Sequence, residues 1–196
     1  MSSSNPVLER CAKIGGWMYD DELLWLNQTA KECSLVVEIG VWQGKSTTAI
    51  AMGLPEHGRL FAIDSWQGSE EELSDAHAIM QTTEGQKSIF LNAMDNLFEF
   101  ISFGKVIPLC MKSIVACAML DYTEEVDFVF IDGSHDYSNV KLDLEAWFPT
   151  THSNSIIAGH DFTWPGVEKA VREFFGGKVK RGPGSIWYVD RSELPS

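Results

Sequence analysis

Ten consecutive residues, Glu38-Ile39-Gly40-Val41-Trp42-Gln43-Gly44-Lys45-Ser46-Thr47, carry the first chemistry in the chain. They end in the Gly-Lys-Ser-Thr of a nucleoside-triphosphate loop, whose amides wrap a phosphate. Such a loop needs a glycine five positions before its second one. Ile39 stands there, and Gly40 sits one place too close. The bend is too tight for a triphosphate, and Glu38 would repel one. An acid at the end of an apolar strand is costly to bury without a donor, so Glu38 calls for a ligand with an ammonium group. Gly40 and Gly44 let the backbone approach that ligand, and Ser46 and Thr47 add polar groups where the next helix starts.

Three further acids each end an apolar run. Asp64 lies 24 residues after Gly40, near the roughly 20-residue interval at which an acid bonds ribose hydroxyls. Asp132 and Asp161 close VDFVFID and SIIAGHD. Adjacent strands are about 4.8 Å apart, so these two carboxylates converge on one divalent cation if their strands are neighbours. Oxygen ligands suit magnesium or calcium, and nitrogen from His160 would tilt the choice towards manganese or iron. Otherwise the two acids line the rim, bonding a cofactor or capping loops. His135, three residues past Asp132, has an ordinary pKa near 6.5 and is the candidate base, with a backbone-bonded or metal-ligating histidine as the alternative. Asp136 reads as the cap of a helix starting near Tyr137.

The elements that position these groups follow from pattern. Short apolar runs at 35–40, 60–64, 105–109, 126–132 and 155–161 read as strands covered on both faces of a parallel sheet. Helical patterns at 46–52, 113–120, 138–148 and 166–175 alternate with them, which predicts an α/β doubly wound sheet binding its ligand at the carboxyl ends of the strands. Gly182-Pro183-Gly184 separates KVK from SIWYV and predicts a C-terminal antiparallel hairpin. Residues 1–34 read as a helical preface. Residues 67–101 read as a helical insertion beside the active rim.

The 196 residues fit a single domain. A net charge of -13 excludes a polyanion partner, because nucleic-acid binding rests on Lys and Arg, and the cluster from Lys178 to Arg181 is too short to reverse that. No apolar run approaches 18 residues, so a soluble, cytoplasmic protein is expected, with no membrane partner. Four cysteines without CxxC spacing read as reduced, mostly buried thiols. The aromatic-rich preface is a candidate homodimer contact.

The blocks VVEIGVWQGKST, FAIDSWQG, VDFVFIDGSHDYSNVKLDLEAW and IIAGHDFTWPGVEKAVREFF together resemble the class I S-adenosylmethionine-dependent methyltransferases. The resemblance spans residues 20–190 and is to the small-molecule branch related to macrocin-type O-methyltransferases and cephalosporin hydroxylase-like proteins. It implies a Rossmann-like methyltransferase fold, S-adenosylmethionine as cofactor and a small-molecule hydroxyl as acceptor. Glu38, Gly40 and Gly44 would face the methionine part, Asp64 the ribose hydroxyls, and Ser65 and Trp66 the adenosine neighbourhood, with Ser46 among the cofactor-binding residues. Ser113 would meet the adenine edge, or cap its own helix, and Asp132 would reach the cofactor as well as the reacting atoms. Trp66 has core packing as its alternative role. Relatives in the branch bind magnesium or another divalent cation with acids at these strand ends, although His160 stands where a second acid often occurs. Other classes remain open: a nicotinamide-dependent oxidoreductase would use Asp64 but has no need of Glu38, and a non-catalytic cofactor-binding protein would share the pocket. A metal-dependent oxidative enzyme and a P-loop enzyme, whose magnesium strand VDFVFID also fits, complete the set.

Overall fold

The apolar runs become a seven-stranded sheet in the computed structural model, which describes residues 5–68, 83–120 and 125–194. The strands are β1 Leu35–Ile39, β2 Arg59–Asp64, β3 Val106–Cys110, β4 Val126–Ile131, β5 Thr151–Gly159, β6 Lys180–Arg181 and β7 Trp187–Asp190. Their order is β3-β2-β1-β4-β5-β7-β6. The first five pair in parallel. β7 runs antiparallel to both β5 and β6, as the Gly-Pro-Gly turn predicted. The order reverses between β1 and β4, and the crevice at such a reversal is where an open α/β sheet receives its ligand. Every residue of β1 is buried, as a strand covered on both faces requires.

Alternation along the strands sorts the helices into two layers. Val36, Leu60, Ala62, Phe128 and Phe130 pack with α1 Pro6–Cys11, α2 Asp20–Thr29, α3 Lys45–Gly53 and α4 Thr83–Ser102. Val37, Ile39, Ile63, Val129 and Ile131 pack on the other face with α5 Ser113–Met119, α6 Tyr137–Trp147 and α7 Pro165–Phe175. Glu38 shares the face of Val36, two residues away, and so points towards α3. The helix ends fall within one or two residues of the pattern. β5 starts four residues before the apolar run because its polar opening Thr151-His152-Ser153-Asn154 is carried through a register shift between Val126 and Phe128, beside which Ser155 Oγ donates to Val126 O at 2.7 Å.

The N-terminal preface is helical and bonded to the site's own helix. Asn27 Nδ2 donates to Ala49 O at 2.9 Å, and Lys45 Nζ to Gly16 O at 3.2 Å. Within the expected insertion, residues 83–102 form the crossover helix that a parallel β2–β3 pair demands. Ile89, Ala93, Leu97 and Phe100 put its buried stripe into the core rather than at the rim. Residues 69–82, the rest of that expectation, lie outside the described residues. Cys11 and Cys33 are buried and Cys110 is exposed, so the thiols are less uniformly buried than expected. No helix among the described residues is long and apolar enough to cross a membrane.

Gly40 marks the closest approach of β1 to β4. Its φ is +91°, and an added Cβ would fall 2.1 Å from the backbone oxygen of Asp132. Gly104 has a comparable φ of +70° but open space around it. Gly104→Ala should therefore cost only the left-handed backbone, about 1–2 kcal/mol. Gly40→Ala should cost more than about 4 kcal/mol or fail to fold, since backbone cannot retreat as a side chain can. Urea denaturation separates the two; equal losses would show that the β1–β4 approach is not tight.

Candidate active site

Glu38 sits at the head of the crevice with no solvent exposure. Ser46 Oγ, at the start of α3, donates to its Oε1 at 2.5 Å, while Oε2 has no hydrogen-bond partner. Burial pushes the carboxyl up to about 8, against the Ser46 and Thr47 side chains that favour its charge. Ser46 thus serves Glu38 directly. The loop that follows spends its amides inside the protein: Gly40 N donates to Ile63 O, Gly44 N to Val41 O, and Val41 N and Trp42 N to Asp64 Oδ2 at 2.9 and 3.0 Å. With four amides committed, the loop is no phosphate cradle. Gly44 adopts φ +88°, and the space where its Cβ would lie is filled by Leu97 of α4, so packing demands this glycine.

Asp64 anchors the loop. Besides Val41 and Trp42, it receives Trp66 N at Oδ1 (2.7 Å), and burial raises its pKa despite these amides. A carboxylate has about four acceptor positions, and the backbone of Ser65 is a fourth donor to this one, so the loop itself can fill the set. Trp66 takes the packing alternative. Its ring is buried edge-on against Phe90 at 5.0 Å between centroids, and its indole N–H donates to Trp42 O at 2.9 Å. Ser65 Oγ accepts from Gln67 N. Ser113 does not cap its helix, since Lys112 holds the cap position; its Oγ accepts from Trp147 Nε1 at 2.7 Å and bonds buried Asp143. That side chain faces α6.

A second cluster gathers at the ends of β4 and β5. Asp132, His135 and Asp161 bring one potential ligand atom each to within 4.8 Å of one another. His135 Nε2 lies 2.8 Å from Asp161 Oδ2, and its ring stacks on the half-exposed Trp164 at 4.6 Å and 20°. His160 departs from the expected ligand set. Its Nε2 bonds Glu22 Oε1 at 2.9 Å, and Nδ1 faces Asp161 Oδ2 at 3.3 Å and Asp132 Oδ1 at 3.6 Å. Burial pushes His160 down, but bonds to Asp161 and Glu22 and the charge of Asp132 outweigh it and raise the ring to about 10. A ring protonated on both nitrogens has no lone pair for a metal, and His135 takes its place in the trio. Burial, with the charge of Asp161, drives Asp132 up to about 7, whereas bonds from His135 and His160 overcome burial and hold Asp161 well below its ordinary range.

Trp42, Trp66 and Asp161 hold φ values of 52°, 49° and 55°. These follow β1, β2 and β5, and such backbone strain clusters where a site dictates geometry. Asp136 caps α6 as its sequence predicted, accepting from Asn139 N at 2.9 Å. Glu22, Trp164 and Ser185 had not been singled out from sequence. Glu22 reads as one of three acids in a helix's first turn, an arrangement the helix dipole explains. Its spacing with Leu26 and Ala30 on one stripe was the available signal.

These environments make stability depend on pH in one direction above the carboxylate range. Glu38, Asp132 and Asp143, raised to about 8, about 7 and about 6, keep protons that the unfolded chain releases, so each favours the fold less as pH rises through its value. The stability from raised His160 is complete below its ordinary value and is lost towards pH 10. Glu22 and Asp161 are lowered, and their stability is lost as pH falls below the ordinary carboxylate range. Calorimetric Tm should therefore peak near pH 5–6 and fall steadily to pH 9. A Tm that rises over that span would contradict these assignments.

Comparison with known proteins matches this geometry. The model of a family described as a methyltransferase domain matches residues 37–162, about two thirds of the chain, from β1 to just beyond Asp161. Over 132 residues the chain is 30% identical to the uncharacterised protein y4gI of Sinorhizobium fredii; this covers 64% of the chain but spans only 13% of the length of that curated relative. The fold resembles the O-methyltransferase from Bacillus cereus solved with SAH, with TM-score 0.63, 18% identity and coverage of 97% of this chain and 93% of that one. It also resembles the O-methyltransferase TomG from Streptomyces achromogenes solved with SAM, with TM-score 0.65, 15% identity and coverage of 96% and 91%. At such identities the likeness is one of fold. With two thirds of its length matched, including both clusters of acids at the strand ends, the chain belongs to the methyltransferase-domain family.

Proposed function

We propose that the protein transfers a methyl group from S-adenosylmethionine to a hydroxyl of a small molecule. The observation that carries this is Glu38: a fully buried acid with one oxygen unpartnered, at the mouth where the strand order reverses. A cofactor whose amino-acid tail bears an ammonium supplies a cationic donor, and a nicotinamide dinucleotide has no ammonium to offer. Asp64, at the end of β2 beside the glycine loop, is the acid for the ribose in this reading, and the glycine loop meets the methionine part. When bound, the cofactor supplies an electrophilic methyl on a sulfonium. The O-methyltransferase neighbours, one named with SAM and one with SAH, support the same reading.

An alcohol or phenol near neutral pH must lose its proton as it attacks. His135 is the base in this reading. With Nε2–H donated to Asp161, a neutral ring carries its basic lone pair on Nδ1, and the Asp161 charge stabilises the imidazolium that forms. Asp132, titrating near 7, lies in the same cluster as a second proton acceptor. The acidic surroundings and a net charge of -13 favour a neutral or cationic acceptor over an anionic one.

A second reading, cation assistance, is favoured by the ligand trio Asp132, His135 and Asp161. Two carboxylates and one imidazole suit magnesium or manganese, and an ion there would lower the pKa of a bound hydroxyl. His135 would then spend Nε2 on the ion. Titration calorimetry tests both readings. S-adenosylhomocysteine should bind and NAD should not. Glu38→Ala and Asp64→Ala should each weaken that binding tenfold or more, about 1.4 kcal/mol. Asp132→Asn with Asp161→Asn should leave S-adenosylhomocysteine binding largely intact yet abolish binding of Mn2+; wild-type protein that ignores Mn2+ removes the cation reading.

A further inference from the structure

The family match starts at residue 37 and ends at 162, yet the acid cluster is tied to residues on both sides of it. Glu22, on α2 of the preface, is fully buried. Its Oε2 accepts Tyr19 N at 2.7 Å, the N3-to-N-cap half of a capping box. A capping box needs no burial, and acids in the first turn of a helix ordinarily stay in water. Here Oε1 turns inward and accepts His160 Nε2 and Ser185 N, both at 2.9 Å. The β6–β7 turn is shaped around it: Gly184 holds φ +55°, and a Cβ there would fall 2.1 Å from Glu22 Oε1.

From Glu22 a continuous path leads to the proposed base. The opposite nitrogen of His160 faces Asp161 Oδ2, and that same oxygen receives His135 Nε2. An imidazole can turn over about its Cβ–Cγ bond, which would replace the nitrogen beside Asp161 with carbon. Acceptors on both sides oppose this, Asp161 and Asp132 at Nδ1 and Glu22, by the shortest of the three contacts, at Nε2.

We propose that Glu22 is a positioning residue for methyl transfer: it fixes the ring of His160, and His160 in turn fixes the Asp161 carboxylate against His135. This rests on the reading of His135 and Asp161 as the reaction's proton-handling pair. It gives the preface, which lies outside the family match, a role in the reaction itself.

The test uses Glu22→Leu, which fills the volume without an acceptor, and Glu22→Gln, which keeps an oxygen for Nε2. Crystal structures grown with S-adenosylhomocysteine should show the His160 ring turned and Nδ1 pointing away from Asp161 in Glu22→Leu, with the wild-type ring orientation kept in Glu22→Gln. With catechol as the acceptor probe, kcat per S-adenosylhomocysteine-binding site should fall at least tenfold in Glu22→Leu at unchanged KM for S-adenosylmethionine, with Glu22→Gln restoring most of it. An unmoved His160 in Glu22→Leu, or a loss of turnover matched by a loss of binding sites, overturns the proposal. If Glu22→Leu does not fold, Glu22→Met takes its place. Failure of wild-type protein to bind S-adenosylhomocysteine would sink the functional reading instead, and an unliganded crystal form would still decide the position of His160.

Discussion

A carboxyl group buried at the centre of the sheet without a full set of partners constrains everything around it. Ionised, Glu38 would cost several kcal/mol in such a place, so it keeps its proton to about pH 8. Ser46 must stand at the first turn of α3 to reach Oε1, and that fixes the short reach of the glycine loop. The loop then cannot offer its amides to a ligand. It gives two of them to Asp64, which ties the ends of β1 and β2 into one rim. Gly40 closes the same rim against β4 by a backbone approach that no side chain permits.

Across the crevice the same problem is solved differently. Asp132 and Asp161 sit at the ends of adjacent strands with opposite titration behaviour, one held up by burial and one held down by two histidines. Environments that push paired acids apart leave one ionised while the other titrates near neutrality, the division on which the proposed proton transfer rests. His160 serves this division as a bridge between three carboxylates. The half-exposed Trp164, stacked on His135, walls the open side of the cluster.

The strands were legible because burial on both faces leaves continuous apolar runs, and the hairpin because Gly-Pro-Gly admits few backbones. Glu38, Asp64, Asp132 and Asp161 stood out because an acid at the end of an apolar run is costly to bury without partners. What sequence hid was direction and long-range partnership. Trp66 next to Asp64 looks like an adenosine neighbour, but a left-handed φ turns its ring into the core against Phe90. Ser113 stands at the end of β3 where the cofactor was expected, yet Trp147, 34 residues on, claims its oxygen. Nothing local could connect Glu22 to a histidine 138 residues away. Within the expected helical segment 67–101, the residues from 83 on are helical, and their place as the crossover between β2 and β3 follows from the parallel pairing of those strands, which is a property of the sheet.

The central claim is that Glu38 is a neutral acid until the ammonium of the cofactor reaches it. Isothermal calorimetry of S-adenosylhomocysteine binding at pH 7, in buffers of different ionisation enthalpy, counts the protons exchanged on binding. Nearly one proton should be released by the wild-type protein, and correspondingly fewer by Glu38→Gln. Binding without proton release, or release that survives in Glu38→Gln, would contradict the account.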